Sequence, residues 1–162
     1  MLKSIKIDYV KIGELRKYSL NPKIHEEKQI QQIAKSIERF GFNNPILIDE
    51  KSEVIAGHGR LLAAKLLKLE TIPVIRLTYL SEPEKRAYRI ADNKLSEIGK
   101  WDTDLLKLEF SEIEKLALNL EDELNLDITG FDFKEIDVLL ADNKPNEKAD
   151  EKLTSVTYVP EN

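Results

Sequence analysis

The chain has 162 residues, 41 % of them apolar, and its 25 Lys/Arg against 30 Asp/Glu leave a net charge of −5. That suffices for one ordinary domain, or a small domain with an appendage, built on a real hydrophobic core. It carries no cysteine, no apolar run near the ~20 residues of a membrane span, and no continuous apolar stretch in its opening "MLKSIKIDYVKIGEL", so disulfides, thiol chemistry, a membrane location and a secretory signal are excluded and the cytoplasm is expected.

The first predicted element is a strand over residues 4–10, where β-branched residues alternate with polar ones. Asn21 and Pro22 signal a turn. A helix follows, because Ile30, Ile33, Ala34, Ile37 and Phe40 recur at three and four and form one stripe. Glu26 and Glu27 stand in its first turn, where the helix dipole favours acids, and Gly41 is its stop. Ile46–Ile48 and Val54–Ala56 read as two short strands joined by a polar turn over residues 49–53.

A second helix is expected over residues 60–69, then a third β segment in "TIPVIRLTYL", where Pro73 argues for an edge or an early position. Ser81, Pro83 and Glu84 open another helix, expected to reach about Asn93. Tyr79, Tyr88 and Trp101 are expected in the core or half-buried. After Trp101 the chain becomes acidic: a helical stretch in two short pieces, a turn at Gly130, and a last amphipathic helix from about Lys134. From Asn143 on, the sequence is polar and reads as a linker or tail. Residues 1–100 hold 19 Lys/Arg against 13 Asp/Glu, a balance of +6, whereas residues 101–162 hold 6 against 17, a balance of −11. The first part suits a polyanion such as DNA and the second repels one, unless both are ordinary solvated surfaces.

The stretch "VIAGHGRLLAAKLL" carries the most chemistry. A strand runs through Gly57, His58, Gly59 and Arg60 into a helix, which leaves free N–H groups for an anion, phosphate above all. Arg60 adds a planar, permanent charge, and His58 another hydrogen bond. A plain strand-to-helix connection is the competing reading. Asn43, Asn44, Pro45 and Ile46 can line a ligand edge or serve as ordinary turn residues. Asp92 and Asn93 are hard oxygen donors suited to magnesium beside phosphates, with Lys94 as a phosphate contact, or they close a helix. With only His25 and His58, a zinc site is not expected.

Taken in order, "LNPKIHEEKQIQQIAKSIERFGFNNPILIDEKSEVIAGHGRLLAAKLLKLETIPVI" resembles the N-terminal domain of the ParB/sulfiredoxin superfamily. The pieces "YRIADNKLSEIGKWDTDLL" and "LDITGFDFKEIDVLL" resemble the ParB-like branch associated with phage and prophage DNA-modification methyltransferases. The resemblance implies an α+β fold: a small mixed sheet with helices packed on it over residues 1–98, an acidic helical extension over 99–141, and a flexible tail over 142–162. It implies a nucleotide, CTP or ATP, with its phosphates on Gly57, His58, Gly59 and Arg60, its flank at Asn43, Asn44, Pro45 and Ile46, and magnesium at Asp92 and Asn93. DNA, a methyltransferase fused or encoded nearby, and a second copy of the chain are the partners it implies.

Leu61 stands after Arg60, where the ParB pattern usually has a second arginine. Without cysteine, sulfiredoxin activity is excluded, and the chain has no methyltransferase motif. No helix-turn-helix is expected in the acidic part. The function expected is a ParB-like nucleotide-binding module in DNA modification or in phage or plasmid DNA maintenance. Two alternatives stand beside it. One is a magnesium-dependent nuclease or an NTP-hydrolysing or kinase enzyme, with Glu26 or Glu27 as base; the other is an adaptor for a methyltransferase through residues 101–140.

Overall fold

A computed structural model describes residues 3–119 and 123–141. The chain divides into two compact units, Met1–Gly99 with Ile128–Gly130, and Lys100–Asp127 with Phe131–Asn162.

The first unit is an α+β structure on a four-stranded mixed sheet. Its strands are β1 (Ile7–Lys11), β2 (Ile46–Ile48), β3 (Val54–Ala56) and β4 (Thr71–Arg76), in the order β1-β4-β2-β3. β1 pairs with β4 and β2 with β3 antiparallel, while β2 and β4 run parallel. Its helices are α1 (Glu27–Phe40), α2 (His58–Leu66) and α3 (Glu82–Ile98). The core is Ile46, Ile48, Val54, Leu61, Ala64, Ile72 and Val74. Each larger side chain among them contributes roughly 1.5–3 kcal/mol by leaving water.

β2 and β3 form where expected because they are short apolar runs between turn signals. Asp49 organises the turn between them, its Oδ1 accepting from the backbone N–H groups of Lys51 and Glu53, both at 2.8 Å. α1 turns Ala34 fully inward, with Ile30, Ile33 and Ile37 half-buried, and Gly41 ends it at φ +90°. Phe40, the last residue of the expected stripe, is exposed.

Pro73 does not mark an edge: β4 lies between β1 and β2. Ile12 N–H donates to Glu70 O, so alternation along the antiparallel pair makes Tyr9–Pro73 a non-hydrogen-bonded pair. The missing proline donor therefore points toward β2, whose parallel ladder begins only at Ile46–Val74.

α3 outruns its expected end near Asn93 and continues to Ile98. Its start matches the sequence signal: Ser81 and Glu84 form a reciprocal capping box, with proline in the first turn. Asp92 and Asn93 thus sit inside the helix rather than closing it. Asn93 joins the helix through its side-chain Nδ2, which donates to Arg89 O at 2.8 Å.

The second unit contains α4 (Thr103–Asn119) and α5 (Phe133–Ala141). α4 is one helix, not two pieces; Ser111 Oγ donates to Lys107 O at 3.0 Å and stays within the helical bonding. Asp102 caps α4 through Leu105 N–H, and Asp132 with Glu135 forms a second reciprocal cap at α5. Phe110 and Ile136 are its buried apolar residues, and Phe131 meets both Phe110 and Trp101 edge-on, at 5.5 and 5.4 Å between ring centres. Trp101 is nevertheless 69 % exposed, against the expectation of a core or half-buried ring, while Tyr79 and Tyr88, 42 % and 37 % exposed, lie outside the core but are more than half covered. The tail expected over residues 142–162 lies outside the described residues. No described helix is long and apolar enough to cross a membrane.

Candidate functional site

The fully buried β3 delivers the chain to Gly57, which adopts φ +100° and serves as the N-cap of α2. A residue with a Cβ is strained there. The helix therefore begins at His58, two residues before its expected start. Leu61 N–H makes the first intrahelical bond, to Gly57 O at 2.9 Å. The N–H groups of His58, Gly59 and Arg60 precede that bond and have no intrahelical acceptor, and no side chain caps the helix.

Arg60 folds back over the turn. A Cβ built on Gly57 would lie 2.9 Å from Arg60 Nη2 and 3.1 Å from Ile46 Cγ1. Nη2 donates to Pro45 O at 3.3 Å, while Nε is buried without a partner among the described residues. Burial lowers the Arg60 pKa and the charge of Asp92 opposes that shift; the guanidinium stays cationic at neutral pH. His58 is 6 % exposed and its Nε2 also has no partner. Burial, aided by the charges of His25, Arg89 and Lys17, pulls its pKa down to about 4. His58 is thus a neutral buried imidazole.

Arg60, Asn43 and Asn44 line one cavity of about 530 Å³, together with Gln29 and Gln32 from α1. Asn43 Nδ2 donates to Phe40 O and so also caps α1. Ile46 is a core residue that supports Gly57 from beneath. Gly59 faces α1: its missing Cβ would meet Ile33 at 3.0 Å and the His25 ring at 3.2 Å. Asp92 comes near enough to influence Arg60, whereas the Asn93 amide is committed to Arg89 O. Lys94 pairs with Glu97 at 3.5 Å. Glu26 is the N-cap of α1 and Glu27 its first residue; both are exposed, and neither lines the cavity.

Free backbone donors, a cationic fork with a spare N–H and an adjoining amide-bearing cavity fit a polyphosphate carrying a base. Among the described residues, no three His, Cys, Asp or Glu side chains gather to hold a metal ion.

Leu61 is 1 % exposed and belongs to the core. The position after Arg60 is thus directed into that core.

Two further cations escaped the sequence reading. Lys85 is 2 % exposed and its ammonium meets Glu50 at 2.9 Å, Glu82 at 3.0 Å and Asp49 at 3.2 Å. The hydrogen bonds it donates to Glu50 and Glu82 raise its pKa despite burial. Burial works against ionisation of Asp49, but the bonds from Glu53, Lys85 and Lys51 together hold its pKa below the usual value. Arg89, equally buried, bonds Glu53 at 2.8 Å and lies 3.6 Å over the Tyr18 ring. The spacing of Lys85 and Arg89, one helical turn apart on α3, was the available signal.

Residues 1–94 match the model of the ParB N-terminal domain, and residues 104–161 match that of the ParB-methyltransferase HTH domain. The chain belongs to the ParB N-terminal domain family. It is 45 % identical over 86 residues to the ParB-like nuclease domain-containing protein YnaK of Escherichia coli (strain K12), covering 53 % of this chain and 99 % of that protein. It is 27 % identical over 125 residues to Stage 0 sporulation protein J of Bacillus subtilis (strain 168), covering 70 % of this chain but only 44 % of that protein. Among solved structures, it resembles the C-terminally truncated chromosome-partitioning protein ParB from Caulobacter crescentus, complexed with CTP-gamma-S. The TM-score is 0.68 at 18 % identity, over 93 % of this chain and 85 % of that one. That likeness establishes the fold. The second family match corrects the expectation that no helix-turn-helix follows residue 100; the acidic charge of this ParB-like chain had masked it.

Proposed function

We propose that the chain is a ParB-like nucleotide-binding module that takes CTP, with its phosphates on the turn from Gly57 to Arg60 and its base toward the cavity bordered by Asn43 and Asn44. The observation that carries this reading is unused hydrogen-bonding capacity in a buried place: Arg60 Nε and His58 Nε2 lack partners beside three free backbone donors. The CTP analogue in the Caulobacter crescentus protein favours CTP over ATP as the first ligand to test. Asp92 is the carboxylate nearest this turn in its effect on Arg60, and it would meet a magnesium ion brought in on the phosphates. The match to a ParB-methyltransferase HTH domain supports a role in DNA modification or DNA maintenance, with DNA and a methyltransferase as partners.

The test is calorimetry with CTP, ATP and GTP, with and without magnesium, on the wild type and Arg60→Ala. Wild type binds CTP and the variant loses binding at least a hundredfold, as expected for a charge-assisted contact in a buried turn. Equal affinity in the two proteins would remove the phosphates from this turn.

A further inference from the structure

Gly59 stands in the first turn of α2, and the space where its side chain would be is filled from outside the helix. The imidazole of His25 lies there, with Cε1 and Nδ1 each 3.2 Å from the position of a Cβ. His25 precedes α1, and its Nδ1 is hydrogen-bonded at 3.0 Å to the Gln29 side chain. Gln29 in turn lines the same cavity as Arg60, Asn43 and Asn44. The ring is thus tethered on one nitrogen, half-buried, and set against Gly59 in the first turn of α2, the turn whose N–H groups are free. The two histidines of the chain are close enough for the charge of His25 to act on His58.

Resting on the nucleotide reading above, we infer that His25 is a ligand-contacting residue of this turn, donating from Nε2 to a phosphate oxygen of a di- or triphosphate. Three features support it. Glycine at position 59 admits the ring where any larger residue would expel it or push back Ile33, whose Cδ1 lies 3.0 Å from a Cβ there. The bond at Nδ1 fixes the ring's orientation and leaves Nε2 for the ligand. Gln29 sets its Oε1 against Nδ1, which therefore donates, so Nε2 carries a hydrogen in the imidazolium, and in the neutral ring once the amide turns its NH2 group toward Nδ1. The turn then holds an anion with groups from two segments 34 residues apart, α2 and the approach to α1. Ligand binding would therefore fasten the start of α1 to the start of α2.

The experiment uses the full chain with 15N-labelled histidine. CTP and, separately, inorganic pyrophosphate are titrated while the ring nitrogens of His25 are followed by NMR and affinity is read by calorimetry. His25→Ala and His25→Gln are measured alongside, with thermal melts to confirm folding. The expected result is a shift at His25 Nε2 on adding either anion, and an affinity loss of about tenfold in both variants. Should His25→Ala fail to fold, the ring shifts and the bulkier His25→Gln decide.

CTP binding that leaves the His25 resonances still and the variants unimpaired overturns the role of His25 while the nucleotide site stands. Pyrophosphate binding that moves the His25 ring, with no nucleotide bound, does the reverse. If neither anion binds the wild type, both readings fall.

Discussion

Two places in the first unit bury cations, and they treat them differently. On α3, Lys85 and Arg89 are each 2 % exposed, and carboxylates or carbonyl groups take their hydrogen bonds: three carboxylates for Lys85, Glu53 and Val54 O for Arg89. At the start of α2, Arg60 gives one bond to Pro45 O and leaves Nε idle, while His58 Nε2 beside it is idle too. A buried donor without a partner costs free energy, and one that recurs beside free helix N–H groups marks a place completed by something else. The saturated cations hold the fold together; the unsaturated one marks the turn where we propose that the nucleotide phosphates sit.

The largest effect should come from breaking the saturated side. Lys85→Ala strands Asp49, itself 3 % exposed, without its counter-ion, and leaves Arg89 to hold α3 to the β2–β3 turn. Removing one partner of a buried pair costs on the order of 3–5 kcal/mol. Because Glu50 and Glu82 are partly exposed and can turn to water, about 3 kcal/mol is expected. Urea denaturation measures it, and the folded fraction should bind CTP as the wild type does. A variant that keeps its stability but loses the nucleotide would move Lys85 from scaffold to site and dissolve the contrast.

His58 tests the unsaturated side through pH. Its folded pKa of about 4 lies below the unfolded value of 6.5, so between those values the unfolded chain takes up a proton that the native chain refuses. Stability is therefore complete above 6.5 and declines as the pH falls toward 4, by about 2 kcal/mol at pH 5. This window opens well above the ordinary values of 3.8 and 4.5 at which the depressed Asp49 and Glu50 carboxylates begin to lose their protection, and pH 5 lies above both. Denaturant titrations at pH 7 and pH 5 should show the loss in the wild type and little of it in His58→Asn. Equal slopes in the two would mean that the imidazole is already charged or already solvated in the native chain.

Much of this was legible in the sequence where the determinants are local. The Ser81–Glu84 box, the Gly41 stop and the two strands Ile46–Ile48 and Val54–Ala56 each follow from neighbours within a few residues. The turn at Gly57 was legible for the same reason. What escaped depends on residues far apart in the chain. Lys85 meets Asp49 across 36 positions, and nothing in "SEPEKRAY" announces that this lysine is buried. Pro73 pointed to an edge or an early position because proline lacks a donor; it is third in an inner strand, and only the pairing parity with Tyr9 reveals that the donor was not needed. Leu61 stands out against the ParB pattern because a motif records order, not direction; the helix turns that position into the core.

The smallest effect separates geometry from charge within the turn. Gly57→Ala leaves Arg60, His58 and Asp92 in place but puts a methyl group where φ is +100°, which costs roughly 1–2 kcal/mol. The methyl would sit 2.9 Å from Arg60 Nη2, at the free end of a flexible side chain, and 3.1 Å from Ile46 Cγ1, which the core holds fixed. Arg60 therefore yields first, swinging off Pro45 O and out of register with the backbone donors. Stability should fall by only that backbone cost, while CTP affinity falls nearly as far as in Arg60→Ala. Gly57→Asn, whose side chain tolerates a left-handed backbone better, should recover part of the stability without the affinity. If Gly57→Ala binds CTP normally, the guanidinium does not need its fold over the turn, and its unpaired Nε would be a feature of packing rather than of the site.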